Sequence, residues 1–166
     1  MAWEQDVECI VMLAGVVEGG RKKCEQYWPL KTNHKMTLKE FEIEAVKVSI
    51  DDPYDTAIRT TQLQVRHIDS NVSRVITHIQ YVEWPDHGVP SVHGFTKLLN
   101  LYRATLASEK NSSSYQLIHC SAGVGRTGVF VMVNIMLEKV SSCFSLQYII
   151  FLLDLVIVLS NFCDFE

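Results

Sequence analysis

The sequence predicts an α/β domain with a twisted mixed β-sheet flanked by helices and a Cys-x5-Arg loop between a strand and a helix. Residues 41–48 and 58–65 alternate apolar and polar side chains, which is typical of half-buried antiparallel strands. Residues 93–107 repeat apolar side chains at helical spacing. The short apolar segment 115–118 and the long apolar stretch 129–138 predict a buried strand and then a buried helix. Strands followed by helix, strand and helix indicate a mixed sheet with helices packed on it.

The remaining elements and the domain boundary follow from the same patterns. Residues 9–17 predict a buried strand with its following turn, and the alternating run 75–82 predicts another strand. The polar run 109–114 is the clearest loop. At 166 residues, 48% of them apolar and without an internal repeat, the chain is long enough for one domain with its own core. We expect residues 1–143 to form that domain and residues 144–166 to be a divergent apolar tail.

The tail raises the question of a membrane anchor. Residues 144–163 are strongly apolar, and their length approaches that of a membrane span. However, Asp154 lies in the middle, where a charge opposes insertion by about 2.5–3.5 kcal/mol. No Lys or Arg follows Lys139 to anchor a span. The sequence therefore favours a divergent end of the domain, and membrane association of the tail is the alternative.

Composition restricts the partners and the compartment. A net charge of −4 and the lack of a basic run argue against a nucleic-acid partner. The five cysteines are odd in number and unpatterned, which fits a reducing compartment, so we expect a cytoplasmic protein. The six histidines show no metal-ligand spacing, and the sequence predicts neither a metal nor another cofactor.

The segment 119–128, His-Cys-Ser-Ala-Gly-Val-Gly-Arg-Thr-Gly, is the most informative part of the chain. A loop between a strand end and a helix start directs backbone amides at one point, and the helix dipole adds positive potential there. Gly123 and Gly125 allow the backbone conformations that such an anion-binding loop needs. Arg126 supplies a planar fork that matches two phosphate oxygens. Cys120 lies in this positive field, which favours its thiolate form.

Other interpretations of this segment have less support. Residues 123–128 also fit the GxGxxG dinucleotide fingerprint, which requires a carboxylate roughly 20 residues further on. At that distance lies Tyr148 within an apolar run, and Asp154 is too deep in the same run. A Walker loop is excluded because no Gly-Lys-Ser/Thr ends the segment. Cys120 as a plain core cysteine is the remaining alternative.

A second loop, Trp84-Pro-Asp-His-Gly-Val-Pro90, offers the proton transfer that phosphate-ester cleavage needs. Asp86 could protonate the leaving oxygen and then activate the hydrolytic water. Trp84 could be the packing contact that moves with the loop, since closing lids commonly carry catalytic groups. The alternative is that Asp86 merely caps a turn, as Pro-Asp-x-Gly segments usually do.

Together these blocks resemble the classical protein tyrosine phosphatases. Residues 119–128 are similar to the family's phosphate-binding signature, and residues 84–86 to its mobile acid loop. Residues 18–29, Glu-Gly-Gly-Arg-Lys-Lys-Cys-Glu-Gln-Tyr-Trp-Pro, are similar to the segment upstream of the acid loop. The resemblance covers roughly residues 3–140 and is closest to non-receptor members, so residues 1–143 are expected to be a partial domain of this family.

The resemblance implies a catalytic set. Cys120 would be the nucleophile that forms a phosphocysteine, and Asp86 the general acid and later the base. Arg126 and the loop amides would hold the phosphoryl oxygens, and the Thr127 hydroxyl would help the cysteine leave. The implied substrate-binding residues are Asp86, Cys120, Ser121, Ala122, Gly123, Val124, Gly125 and Arg126. The implied partners are phosphotyrosine-containing proteins.

The resemblance also implies supporting residues, among them Trp84 of the acid loop. His119 would tune the thiolate from behind, and Lys23 would lie near the acid loop. Glu18 would pair with the signature arginine, which agrees with the physical cost of a buried guanidinium without a counter-charge. Residues 27–29 would pack and position their neighbours.

Two functions remain from the sequence. The first is hydrolysis of phosphotyrosine in proteins. The second is a catalytically impaired phosphatase-like binding module, because the family's Asn-Arg-Tyr-type loop for ring recognition is not found here. Residues 147–148, Gln-Tyr, lie too close behind Cys120 to match the family's water-positioning loop. A dual-specificity or lipid phosphatase shares the phosphate loop, and residues 84–86 weigh against it.

Overall fold

A computed structural model describes residues 1–52, 55–85, 88–108 and 115–142 of the chain. These residues form a mixed sheet, a small hairpin and two helices. The elements are β1 (Cys9–Met12), β2 (Val17–Glu18), β3 (Arg21–Lys22), β4 (Lys35–Leu38), β5 (Phe41–Asp52), β6 (Asp55–His67), β7 (Ser73–Tyr81), α1 (Val92–Ser108), β8 (Gln116–His119) and α2 (Arg126–Ser142).

The main sheet has the strand order β4-β5-β6-β7-β1-β8. Strands β4 to β7 pair antiparallel, whereas β1 runs parallel to both β7 and β8. Val11 of β1 lies opposite Ile79 of β7 and Ile118 of β8. Because the three parallel strands end at one edge, the segments that follow them come together there. A backbone hydrogen bond of 2.8 Å from Leu13 N to His119 O extends this pairing toward the loop after β8.

The antiparallel pair predicted over 41–48 and 58–65 is confirmed as β5 and β6, and both strands are longer than predicted. The register shifts between Ala45 and Lys47, which leaves Val46 as an extra, exposed residue. The extra residue shifts the alternation of inward and outward side chains by one position. Val48 therefore packs against the same core cluster as Ala45.

Alternate residues of β1 contribute to two cores on opposite faces of the sheet. Cys9 and Val11 belong to one core, and Ile10 and Met12 to the other. Both described helices pack on the first face, so the predicted mixed sheet with flanking helices is confirmed. The buried helix residues of the core on this first face are Leu98, Leu99, Tyr102 and Phe130. The second face is covered by Trp28 and by the partly buried Trp3 and Tyr27.

The two predicted helices begin slightly earlier than their apolar patterns. Helix α1 begins at Val92, where the Ser91 hydroxyl accepts the Gly94 amide at 3.1 Å as an N-terminal cap. Helix α2 begins at Arg126, so the last residues of the phosphate-loop motif are helical. Neither described helix combines the length and apolar character of a membrane span. The predicted loop at 109–114 and the tail at 144–166 lie outside the described residues, and the boundary after residue 143 stays a prediction.

Candidate active site

The loop between β8 and α2 curls around the sulfur of Cys120. Strand β8 ends at His119 and α2 begins at Arg126, so residues 120–125 make the whole connection. Gly123 has a φ of +82°, which a side chain would oppose. Its amide donates to Cys120 Sγ at 3.3 Å. The cysteine is only 6% exposed, so the loop encloses a thiol that meets inward-facing amides.

This environment makes the thiol acidic. Burial raises the pKa of Cys120, but the Thr127 hydroxyl and amide and the amides of Gly123 and Ser121 together lower it below the ordinary value. The Thr127 oxygen is buried and makes no hydrogen bond of ordinary geometry to a described group, which leaves its proton available to the sulfur. Cys120 is thus a member of the buried core cluster whose thiol is nevertheless more acidic than an ordinary cysteine.

Arg126 is fixed by Glu18. Its Nη1 and Nη2 donate to Glu18 Oε1 and Oε2, each at 2.7 Å, and Nη1 also donates to the Leu13 carbonyl at 3.1 Å. Both side chains are largely buried. Two parallel charge-assisted bonds hold the guanidinium in one plane at the start of α2.

A glycine-rich hairpin places Glu18. Strands β2 and β3 pair Glu18 with Arg21, and Gly19 and Gly20 between them have φ values of +53° and +76°. A two-residue turn with both φ values positive matches the twist of a hairpin. The Gly15 amide also donates to Glu18 Oε1 at 2.8 Å. The carboxylate is therefore oriented by its own hairpin as well as by the arginine.

Behind the cysteine lies a buried chain of polar side chains. His119 Nδ1 lies 3.0 Å from the Cys120 carbonyl oxygen, and His119 Nε2 lies 2.7 Å from the Tyr27 hydroxyl. The same hydroxyl lies 2.8 Å from Nε2 of His78 on β7. Burial lowers the pKa of His119, although its bond to the Cys120 carbonyl opposes the shift. His78 was not predicted from the sequence. The one sequence feature that concerns it is its place in the alternating run 75–82, which predicts a strand but no functional role.

The opening of the loop faces solvent. Residues 121–124 are exposed, and Ser121 Oγ donates to the Lys23 carbonyl at 3.0 Å. This bond brings the segment after β3 to the edge of the phosphate loop. Lys23 therefore contacts the loop through its backbone.

The start of the predicted acid loop is held in the helical core. Trp84 is buried, meets Phe95 of α1 edge-on at 5.4 Å between ring centroids, and donates from Nε1 to the Gly88 carbonyl at 3.3 Å. Asp86 lies outside the described residues. The structure thus brings together Cys120, Arg126, Thr127, Glu18 and His119, while the position of Asp86 stays a prediction.

Comparison with known proteins identifies the family of this chain. The sequence profile of the family described as "Protein-tyrosine phosphatase" matches residues 1–154. The chain is 38% identical over 147 residues to human tyrosine-protein phosphatase non-receptor type 14, covering 82% of this chain and 12% of that protein. It is 33% identical over 150 residues to human tyrosine-protein phosphatase non-receptor type 9, covering 84% and 25%.

Receptor-type relatives match equally well. The chain is 38% identical over 144 residues to the rat receptor-type tyrosine-protein phosphatase C, covering 86% of this chain and 11% of that protein. The chain thus spans a quarter or less of the length of these three relatives. From the profile, the identities and the fold, the chain belongs to the protein-tyrosine phosphatase family.

Proposed function

We propose that this chain hydrolyses phosphotyrosine in proteins through a phosphocysteine intermediate. The observation that carries the proposal is the enclosed Cys120 thiol, which accepts the Gly123 amide beside an Arg126 guanidinium fixed by Glu18. A negatively charged nucleophile next to a fixed cation and inward amides can bind a phosphate dianion and attack it. Family membership supports the same reaction class.

In the first step, the phosphate binds the amides of residues 121–125 and the Arg126 fork. The Cys120 thiolate attacks phosphorus, so an S–P bond forms while the P–O bond to the tyrosyl group breaks. Asp86 gives its proton to the leaving phenolate oxygen. The acid role of Asp86 is supported by the sequence of the loop at residues 84–90, whose first residue, Trp84, packs on α1.

In the second step, Asp86 as carboxylate takes a proton from water. The water oxygen attacks phosphorus, the S–P bond breaks and the Cys120 thiolate is regenerated. The Thr127 hydroxyl, which is buried and otherwise without a regular hydrogen bond among the described groups, donates to the departing sulfur. Inorganic phosphate then leaves. The reaction is balanced without a cofactor.

The other predicted residues support these steps. His119 holds the Cys120 carbonyl away from the phosphate, and Lys23 shapes the edge of the loop through its carbonyl bond to Ser121. We propose phosphotyrosine-containing proteins as the partners and the cytoplasm as the compartment. Cys9, Cys24 and Cys120 form no disulfide within the described part of the chain, which is compatible with a reducing environment.

The test is phosphate release from a phosphotyrosine peptide and from p-nitrophenyl phosphate. Release by the full chain should disappear in Cys120→Ser and persist in Cys24→Ser, a matched removal of a second free thiol. Asp86→Asn should slow release from the peptide. Equal release by Cys120→Ser would overturn the proposal. Peptide binding without release would instead identify a catalytically impaired binding module, and preference for phosphoserine or phosphoinositide would identify a different phosphatase class.

A further inference from the structure

His78 is a buried titratable side chain that the reaction described above does not use. It lies in the middle of β7 with no exposed surface. Its Nε2 lies 2.8 Å from the Tyr27 hydroxyl oxygen, which also lies 2.7 Å from His119 Nε2. The Tyr27 hydroxyl has one proton and can donate to only one of these two nitrogens. The other nitrogen must therefore carry a proton and donate to the hydroxyl oxygen.

The donor and acceptor roles along this series of hydrogen bonds follow from the group at its end, the Cys120 carbonyl. The Cys120 carbonyl can only accept, so His119 carries a proton on Nδ1, which lies 3.0 Å away. Burial lowers the pKa of His119 and favours the neutral ring, so its Nε2 is an acceptor. Tyr27 then donates to His119 and accepts from His78. His78 must therefore be the tautomer protonated on Nε2.

This tautomer leaves His78 Nδ1 as a bare acceptor. The atom is buried and has no hydrogen-bond partner among the described residues. Burial, followed by the repulsion of His119, lowers the pKa of His78 to about 3, so the ring stays neutral. The Trp28 ring lies 4.4 Å from the His78 ring and restricts its rotation. A buried acceptor without a hydrogen bond lowers stability. Any benefit that offsets this cost must come from the other ring nitrogen, Nε2, which donates to Tyr27.

We propose that His78 is a positioning residue that, acting through Tyr27 and His119, holds the Cys120 carbonyl and so directs the Ser121 amide at the sulfur. The reason is the geometry of one peptide group. The Cys120 carbonyl and the Ser121 amide share a planar trans peptide and point in opposite directions. Since His119 holds the carbonyl on one side, the Ser121 amide is directed toward the sulfur, where it lowers the thiol pKa.

The effect is a partial one because other groups also act on the sulfur. Among the described residues, the titratable side chains hydrogen-bonded along this path from His78 are Tyr27 and His119, and Cys24 interacts electrostatically with Tyr27; beyond them lies the Cys120 thiol. Arg126 is held by Glu18 and the Leu13 carbonyl, and none of these bonds includes residue 78. Thr127 and Gly123 continue to lower the thiol pKa. Loss of the His78 donor should therefore raise the thiol pKa by roughly one unit, the size expected for one hydrogen bond.

The experiment compares His78→Leu with His78→Gln in the full chain. The Gln side-chain nitrogen reaches the position of His Nε2 and donates a proton, whereas Leu removes the donor at similar volume. Alkylation of Cys120 by iodoacetamide, followed by mass spectrometry of the peptide across pH 4–9, gives the thiol pKa. His78→Leu should be alkylated several-fold more slowly at pH 6, and His78→Gln should be close to the parent chain. Tyr27→Phe should match His78→Leu, and the double variant should add nothing.

The outcomes separate a positioning role from a purely structural one. An unchanged thiol pKa in a folded His78→Leu, or additive shifts in the double variant, would overturn the proposal. If His78→Leu does not fold, His78→Asn serves instead, because its shorter amide cannot reach Tyr27, and its thiol pKa should exceed that of His78→Gln. The proposal rests on the proposed function, but alkylation reads the thiol without turnover. A chain that releases no phosphate yet shows these shifts would contradict the proposed function alone.

Discussion

Glu18 and Arg126 are 108 positions apart in the sequence, yet they meet through two parallel hydrogen bonds of 2.7 Å. The pair joins the hairpin of β2 and β3 to the first residue of α2. Because the carboxylate is also bonded by the Gly15 amide, the arginine is oriented by a rigid partner. The orientation of the proposed phosphate-binding group thus depends on a segment far from it in the chain.

Glu18→Ala should therefore impair both stability and activity. It leaves a buried guanidinium without its counter-ion, which should lower the free energy of unfolding by about 3 kcal/mol. A misplaced fork should lower kcat/KM for a phosphotyrosine peptide roughly 100-fold. Glu25→Ala is the control, because Glu25 pairs with Lys22 on the surface. Urea denaturation and steady-state kinetics measure the two effects, and an active Glu18→Ala would show that Arg126 needs no carboxylate.

The pH dependence of alkylation should distinguish Cys120 from Cys24. The net effect of the loop lowers the pKa of Cys120, whereas partial burial raises the pKa of Cys24. At pH 6 to 7 iodoacetamide should therefore modify Cys120 first, and Thr127→Ala should slow this reaction. Peptide mass spectrometry after timed quenching measures both sites. Faster modification of Cys24 would contradict the acidic thiol.

The same shift predicts how stability changes with pH. The pKa of Cys120 is lower in the folded chain than its ordinary value, which the unfolded chain has. The unfolded chain then binds more protons between these two pKa values, so the contribution of Cys120 to stability rises with pH across that window. It is complete above the unfolded value and is lost as pH falls through the folded one. Urea denaturation of the parent chain and Cys120→Ser at pH 5 and pH 8 measures this contribution. Because the lowered pKa values of His78 and His119 add stability with rising pH in both proteins, the gain should be larger in the parent than in Cys120→Ser.

Gly123→Ala should lower stability, whereas Gly128→Ala should not. Gly123 has a φ of +82°, where an alanine is strained by about 1–2 kcal/mol. A Cβ on Gly128 in α2 meets nothing within 4 Å, so alanine there should leave stability unchanged or raise it by up to about 1 kcal/mol. Gly123→Ala should also raise the thiol pKa of Cys120. Thermal unfolding checks the first claim, and equal stabilities of the two variants would contradict it.

Gly94→Ala should loosen helix α1 from the sheet. A Cβ at Gly94 would lie 2.5 Å from the hydroxyl oxygen of Tyr81, which is the rigid end of a buried ring. We expect a loss of about 2 kcal/mol in unfolding free energy from overpacking. Asn100→Ala, on the exposed side of α1, is the control. The thiol pKa of Cys120 should stay unchanged in Gly94→Ala, and a stable Gly94→Ala chain would contradict the contact.

The sequence predicted those parts of the fold that depend on local pattern. Alternation at 41–48 and 58–65 indicated β5 and β6, but it could not show the bulge at Val46, which depends on the partner strand. The start of α2 at Arg126 was missed because the apolar pattern begins only at Val129. Local periodicity carries little information about the polar first turn of a helix.

The site followed the same division. The loop around Cys120 could be predicted because all its parts lie within one decapeptide. Glu18 was identified only by resemblance, since its bond to Arg126 depends on the order of strands. His78 could not be predicted, because its link to His119 through Tyr27 joins three segments that only the folded sheet brings together.

The central position of β1 between β7 and β8 has a consequence for chain cleavage. If a protease cut between β3 and β4, the released amino-terminal peptide would carry away Glu18 and the only strand that both β7 and β8 contact among the described residues. The larger fragment would keep Cys120 and Arg126 but lose their alignment. Adding the peptide back should restore thiol reactivity, because the two pieces would reassemble by insertion of β1 between β7 and β8.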